Sequence, residues 1–136
     1  MKKIILLTAL MFFALFSCSE HQNDQNSKDA DRKDLVEIKD GHYTEWYPGK
    51  EHIKYEGEIN KKGEREGKWN FYSEKGNVLS FTFYSAGKKN GHSLVKYPNG
   101  KVHYYGQYRD DKMVGEWVTF DLQGKRTITN YDLDVN

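Results

Sequence analysis

Residues 67–90 read GKWNFYSEKGNVLSFTFYSAGKKN, and residues 91–114 read GHSLVKYPNGKVHYYGQYRDDKMV. Laid over one another, the two segments align Gly67 with Gly91 and Gly76 with Gly100, and the next unit supplies Gly115 and Gly124 at the same interval of 24 residues. Within each unit an aromatic or β-branched run leads into a turn carrying glycine (EKGN, PNGK), and a second such run follows. That is the sequence sign of a β-hairpin, and its recurrence at fixed period is the sign of a repeat architecture.

Working outward, residues 41–66 (GHYTEWYPGKEHIKYEGEINKKGERE) form a longer first unit with the turn Tyr47-Pro48-Gly49-Lys50, one residue shorter than the others. Residues 115–136 (GEWVTFDLQGKRTITNYDLDVN) form the last unit, whose polar end reads as a cap. Pro48 and Pro98 fall at turns, where a missing amide donor is harmless. Polar loops such as NKKGERE, SAGKKN and RDDKMV join the units. With about four residues for each turn and loop, each unit leaves two strands of about eight residues. The expected fold class is all-β: an antiparallel meander of about eight strands over residues 41–136, built from four hairpins. Strand alternation places Trp69 and Phe71 on one face and Asn70 and Tyr72 on the other, so both faces carry rings that can pack across strands without a second layer.

The chain has 136 residues, with 21 Lys and Arg against 20 Asp and Glu. Near-neutrality excludes the basic footprint of a nucleic-acid binder. Lys2 and Lys3 precede an apolar run from Ile4 to Phe16 that ends at Ser17-Cys18, the layout of a signal peptide over residues 1–17. As a helix this run would span about 20 Å, short of the hydrocarbon core. Leu15-Phe16-Ser17-Cys18 resembles the lipobox of bacterial lipoproteins, which implies that Cys18, the only cysteine, is lipidated and anchors the protein to a membrane. By resemblance to known sorting rules, Ser19 does not hold it at the inner membrane. The expected location is the cell envelope, lipid-anchored at the outer membrane and facing the periplasm or the surface. Residues 18–40 are expected to be the lipidated cysteine and a flexible tether, since almost nothing apolar precedes Leu35; a short helix around Asp34 to Lys39 is a weak alternative within it.

The segments GKWNFYSEKGNVLSFTFYSAGKKNG and GHSLVKYPNGKVHYYGQYRDDKMVGEW resemble the MORN-repeat variant of YwqK-type antitoxin proteins, a likeness that extends over about residues 41 to 130. It implies protein binding more than chemistry. Ser93 and Lys96 depart from the pattern by standing where other units carry rings, which interrupts a continuous aromatic stripe.

No nucleophile elbow, phosphate loop, dinucleotide motif or zinc-ligand spacing occurs in the sequence. Of the five histidines, His42 and His92 follow repeat glycines and are expected on one face two units apart; no metal or cofactor is expected. Glu45, Glu56, Glu58 and Glu116 lie in or beside strands, where ion pairing with Lys54, Lys68 or Lys96 is a better account than glycosidase chemistry. The loop lysines Lys61, Lys62, Lys88 and Lys89 read as solvated tips. Trp46, Trp69, Tyr72, Tyr104, Tyr105 and Trp117 are the candidate binding surface, because exposed Tyr and Trp are enriched at contact sites; packing across strands is the alternative use of the same rings. The expected function is a non-enzymatic envelope lipoprotein that presents its repeat sheet to a protein partner. The alternative is an immunity or antitoxin-like protein that neutralises a toxin outside the cytoplasm.

Overall fold

The computed structural model describes residues 34–131. Nine strands follow in chain order: β1 Val36–Lys39, β2 His42–Trp46, β3 Ile53–Ile59, β4 Arg65–Tyr72, β5 Val78–Ser85, β6 Lys88–Lys96, β7 Val102–Arg109, β8 Lys112–Phe120 and β9 Arg126–Tyr131. Each pairs antiparallel with its neighbours in sequence to give one open sheet ordered β1 to β9. The all-β meander of hairpins is thus the fold. The expected signal peptide, Cys18 and most of the expected tether lie outside the described residues.

The glycine beat has two physical meanings. Gly76, Gly100 and Gly124 have positive φ at the fourth position of five-residue turns. In each turn the first N–H donates to the fifth carbonyl: Ser73 to Asn77 (2.8 Å), Tyr97 to Lys101 (2.8 Å) and Asp121 to Lys125 (3.1 Å). This is a type I turn closed by a left-handed residue, a conformation glycine adopts without strain. Asn60 to Glu64, with Gly63 in the special position, makes the same turn between β3 and β4.

Gly67, Gly91 and Gly115 also have positive φ, but they lie in bulges within strands. Between the pairs Glu56↔Asn70 and Glu58↔Glu66, β3 spends one residue where β4 spends three. The same two-residue excess recurs opposite Phe83 and opposite Gly106. An excess of two preserves the alternation of faces while twisting the sheet locally.

Three features differ from the sequence-based expectation. First, Val36–Lys39, placed there in the tether with a helix as the alternative, is a strand: Val36 pairs Glu45 and Ile38 pairs Tyr43. The turn that folds it back is Asp40-Gly41, both residues at positive φ, which is the two-residue hairpin signal Asp-Gly. Second, the joins Ala86-Gly87 and Asp110-Asp111 are also two-residue turns with both φ positive. The strands therefore run through stretches read as loops, and Lys88 and Lys89 lie in β6 while Lys61 and Lys62 lie in a turn. Third, the first unit's turn is longer than the others, not shorter: Tyr47 N–H donates to the carbonyl of His52, at 2.9 Å.

Register fixes which side chains share a face. One face carries the row Gly57, Trp69, Thr82, Ser93, Gly106, Trp117 and Thr129, running from β3 to β9. The other carries Asn70, Phe81, Leu94, Tyr105, Val118 and Ile128, running from β4 to β9. Trp69 and Trp117 are each 2% exposed and Val118 is fully buried. The described residues contain no second layer, so this burial is supplied by neighbours within the sheet and by long side chains folded across it. Turn tyrosines stitch successive hairpins: the Tyr47 hydroxyl donates to the Tyr72 carbonyl and the Tyr97 hydroxyl to the Phe120 carbonyl, each at 2.8 Å.

Candidate functional site

The glycine-lined face is built around two tryptophans that lie flat on glycines of the preceding strand. A Cβ on Gly57 would stand 2.5 Å from ring atoms of Trp69, and one on Gly106 would meet Trp117 closer still. Each indole N–H then donates to the carbonyl just past that glycine: Trp69 Nε1 to Glu58 (2.9 Å) and Trp117 Nε1 to Gln107 (3.1 Å). Those carbonyls lie beside the bulge, where the ladder is interrupted, so the ring both fills space and satisfies a polar group.

Around Trp69 stand Tyr43, Tyr55 and Tyr84, with ring centroids 5.5, 6.1 and 6.3 Å away, and Phe71 touches Tyr55. The Arg65 guanidinium lies 4.4 Å over the Trp69 ring and donates to the Tyr84 hydroxyl at 3.2 Å. A second cluster surrounds Trp117, with Tyr104, Tyr108 and Tyr131 at 5.9, 4.9 and 6.5 Å. Lys89 lies over Tyr108 in this second cluster, at 4.8 Å, in the place that Arg65 holds one repeat earlier. Between the clusters, Thr82 and Ser93 replace glycine and tryptophan. Their hydroxyls bond to one another at 2.9 Å and Ser93 also reaches the Phe81 carbonyl. The interrupted stripe expected from Ser93 is thus two ring clusters flanking a hydroxyl pair.

Glu45 occupies the first unit's equivalent of the tryptophan position and is as buried, at 3% exposure. Its carboxylate takes hydrogen bonds from Tyr55 and from Tyr43 (3.1 Å) and an ion pair from Lys54 (2.9 Å). Burial pushes the Glu45 pKa up, but the Tyr55, Lys54 and Tyr43 contacts together outweigh it and hold the group below the usual glutamate value. Burial first, then Tyr55 and the Glu45 carboxylate, raise the Tyr43 phenol far above its ordinary value.

On the opposite face, His42 sits between two carboxylates, with Nδ1 2.7 Å from Glu58 and Nε2 3.5 Å from Glu56. The hydrogen bond to Glu58 raises the His42 pKa most, against the lowering effect of its partial burial. Glu56 also accepts from the Tyr72 hydroxyl at 2.5 Å, and burial first, then this contact, push the phenol up to about 12. Among the described residues no set of three His, Cys, Asp or Glu side chains is placed to hold a metal. His42 and His92 share this face by alternation, but three strands lie between them, so that four strand spacings, about 19 Å, separate the two.

The six aromatic residues singled out in the sequence do not converge. Trp69, Tyr104 and Trp117 belong to the glycine-lined face, and the two tryptophans are packed rather than presented. Tyr72 and Tyr105 belong to the other face, where Tyr105 is 40% exposed and contacts Phe120. Trp46 lies at the β2 bulge, paired with Ile53. Of the proposed carboxylate pairings, Glu45 takes Lys54, whereas Glu116 is 3.5 Å from Arg126 and Lys68 lies 4.6 Å over Phe81.

Sequence reasoning read Glu45 only as a strand carboxylate for ion pairing, not as a buried counterpart of the tryptophans, and passed over Arg65. Both carried a signal: counting by 24 puts Glu45 in one column with Trp69, Ser93 and Trp117, and Arg65 in one column with Lys89 and Met113. No protein-family model matches the chain, and a search of curated proteins likewise found no similar sequence.

Proposed function

We propose that this chain is a non-enzymatic envelope lipoprotein, anchored through Cys18, that offers its repeat sheet to a protein partner. The observation that carries this reading is the apolar row Phe81, Leu94, Tyr105, Val118 and Ile128 on the face away from the packed tryptophans. Tyr105 is one of its two exposed members, a large amphipathic side chain at the middle of a broad, single-layered surface. An exposed aromatic anchor set in an apolar row suits protein contacts. The leader and lipobox supply the reason for placing that surface in the envelope, and the resemblance to MORN-type repeats agrees with a binding role.

Photo-crosslinking in intact cells tests the reading. A photoreactive residue at Tyr105 is expected to capture one discrete envelope protein, whereas the same residue at Tyr104 on the opposite face captures none. Equal labelling from both positions, or none from Tyr105, contradicts it. Palmitate labelling lost in Cys18→Ser tests the anchor separately.

A further inference from the structure

The two edges of the sheet are treated differently. β1 is four residues long and carries Glu37 and Lys39, charges of the kind that discourage strand addition. β9 is six residues long and exposed throughout; it contains the β-branched run Thr127-Ile128-Thr129 and no proline. It pairs with β8 over six consecutive positions without a register shift, while all six pairings from β2 to β8 contain one. Among the described residues it carries one charge, Arg126, which pairs with Glu116 of β8, and no bulge interrupts it.

The outward hydrogen-bonding groups of β9 can be assigned. The bond from Asp121 N–H to the Lys125 carbonyl closes the turn. Antiparallel pairs alternate between bonded and non-bonded. Counting from that turn, Thr127, Thr129 and Tyr131 exchange bonds with β8, while Arg126, Ile128 and Asn130 aim their backbone groups away from the sheet.

We propose that β9 is a self-association edge: two copies of this chain pair their β9 strands antiparallel about a two-fold axis at Ile128, fusing two sheets into one. The sequence of β9 is self-complementary in this register. Ile128 meets Ile128 of the second copy, Thr127 meets Thr129, and Arg126 meets Asn130, so no like charges stand opposite one another. All three outward residues fall in hydrogen-bonded pairs. The apolar row ending at Ile128, which is 44% exposed, continues without a break into its symmetry mate. A two-fold axis at Thr129 would set Ile128 against Asn130 and end the row at an amide. The contact is isologous and closes at two copies. An edge-to-edge contact of one six-residue strand is smaller than a standard interface, which makes the dimer concentration-dependent. This inference stands apart from the function proposed above, which concerns a face and a different partner.

Single cysteines placed in the full chain carrying Cys18→Ser test it. In a bonded antiparallel pair the Cα atoms are about 5.5 Å apart, within disulfide reach. In the proposed register, Thr127 and Thr129 each lie about 8 Å from their own copies, outside it. Mild oxidation is expected to give at least five-fold more disulfide dimer from Ile128→Cys than from Thr127→Cys or Thr129→Cys. Sedimentation of the otherwise unaltered chain in detergent should show a monomer–dimer equilibrium that Ile128→Lys abolishes, its circular dichroism unchanged. Preferential cross-linking at Thr129, equal yields at all three sites, no cross-link at any, or a dimer that survives Ile128→Lys overturns the proposal.

Discussion

Replacing Gly57 with alanine puts a single methyl group into the contact on which the packed face depends. The added Cβ would stand 2.5 Å from three atoms of the Trp69 ring, where carbon atoms prefer about 3.5–4.0 Å. The ring cannot move away freely. Tyr43, Tyr55 and Tyr84 surround it, Arg65 covers it, and its N–H is tied to the Glu58 carbonyl. Overpacking of this kind costs about 1–3 kcal/mol, and loosening the indole hydrogen bond adds about 1 kcal/mol. Alanine in place of glycine in a strand returns about 0.5–1 kcal/mol. The net loss is about 2 kcal/mol, or a fall in Tm of about 8–16 °C for a domain of this size. Urea denaturation of the full chain, followed by tryptophan fluorescence and far-ultraviolet circular dichroism, measures it. In a Trp69→Leu background the same Gly57→Ala change should cost nothing or stabilise slightly, giving a coupling of about 2 kcal/mol between the two sites. An equal cost in both backgrounds would show that the ring does not rest on the glycine.

Four further outcomes are expected. Ser93→Trp alone should lose about 1–3 kcal/mol by crowding Thr82, and Thr82→Gly/Ser93→Trp should recover most of it by recreating the arrangement of the flanking repeats; denaturation midpoints of the two variants decide this. Tyr47→Phe and Tyr97→Phe should each cost about 0.5–1.5 kcal/mol and add when combined, since each hydroxyl holds a separate turn to a separate carbonyl. The Glu45 pKa is lowered below 4.5 in the fold. Its contribution is therefore complete above that value and is lost as pH falls through the lower folded one, a dependence that Glu45→Gln should remove from acid unfolding curves. His42 is shifted the other way. Its stabilisation is complete below the unfolded value of 6.5 and fades as pH rises through the raised folded value, so proton NMR should place its titration midpoint above 6.5, and Glu58→Gln should bring it back down.

Much of the fold was legible because glycine at a left-handed position leaves a periodic mark. Gly76, Gly100 and Gly124 announce turns, and the runs around Trp69 and Tyr104 announce strands. Gly67, Gly91 and Gly115 were equally visible, but their role in bulges was not, since periodicity alone does not say whether a residue at positive φ turns the chain or kinks a strand. β1 was lost among charges: its four residues include Glu37 and Lys39, and composition outweighed the Asp40-Gly41 hairpin signal that adjoins it. Lys88 and Lys112 read as loop residues because the two-residue turns preceding them, Ala86-Gly87 and Asp110-Asp111, are shorter than a polar run suggests. The candidate site was less legible than the fold. Ring content drew attention to Trp69 and Trp117, but a sequence does not distinguish a ring laid on glycine from one shown to solvent. Tyr105 differs from Tyr104 only in parity along β7, yet that parity decides which face each joins.

Nuclear Overhauser contacts across the strands of the full chain test most directly the claim that consecutive hairpins lie side by side in one open sheet. The account predicts Hα–Hα contact between Val118 and Ile128, indole contacts from Trp69 to Gly57 and from Trp117 to Gly106, and none between Val36–Lys39 and Arg126–Tyr131. Contacts joining the first and last strands into a closed barrel, or tryptophan rings without glycine neighbours, would contradict it.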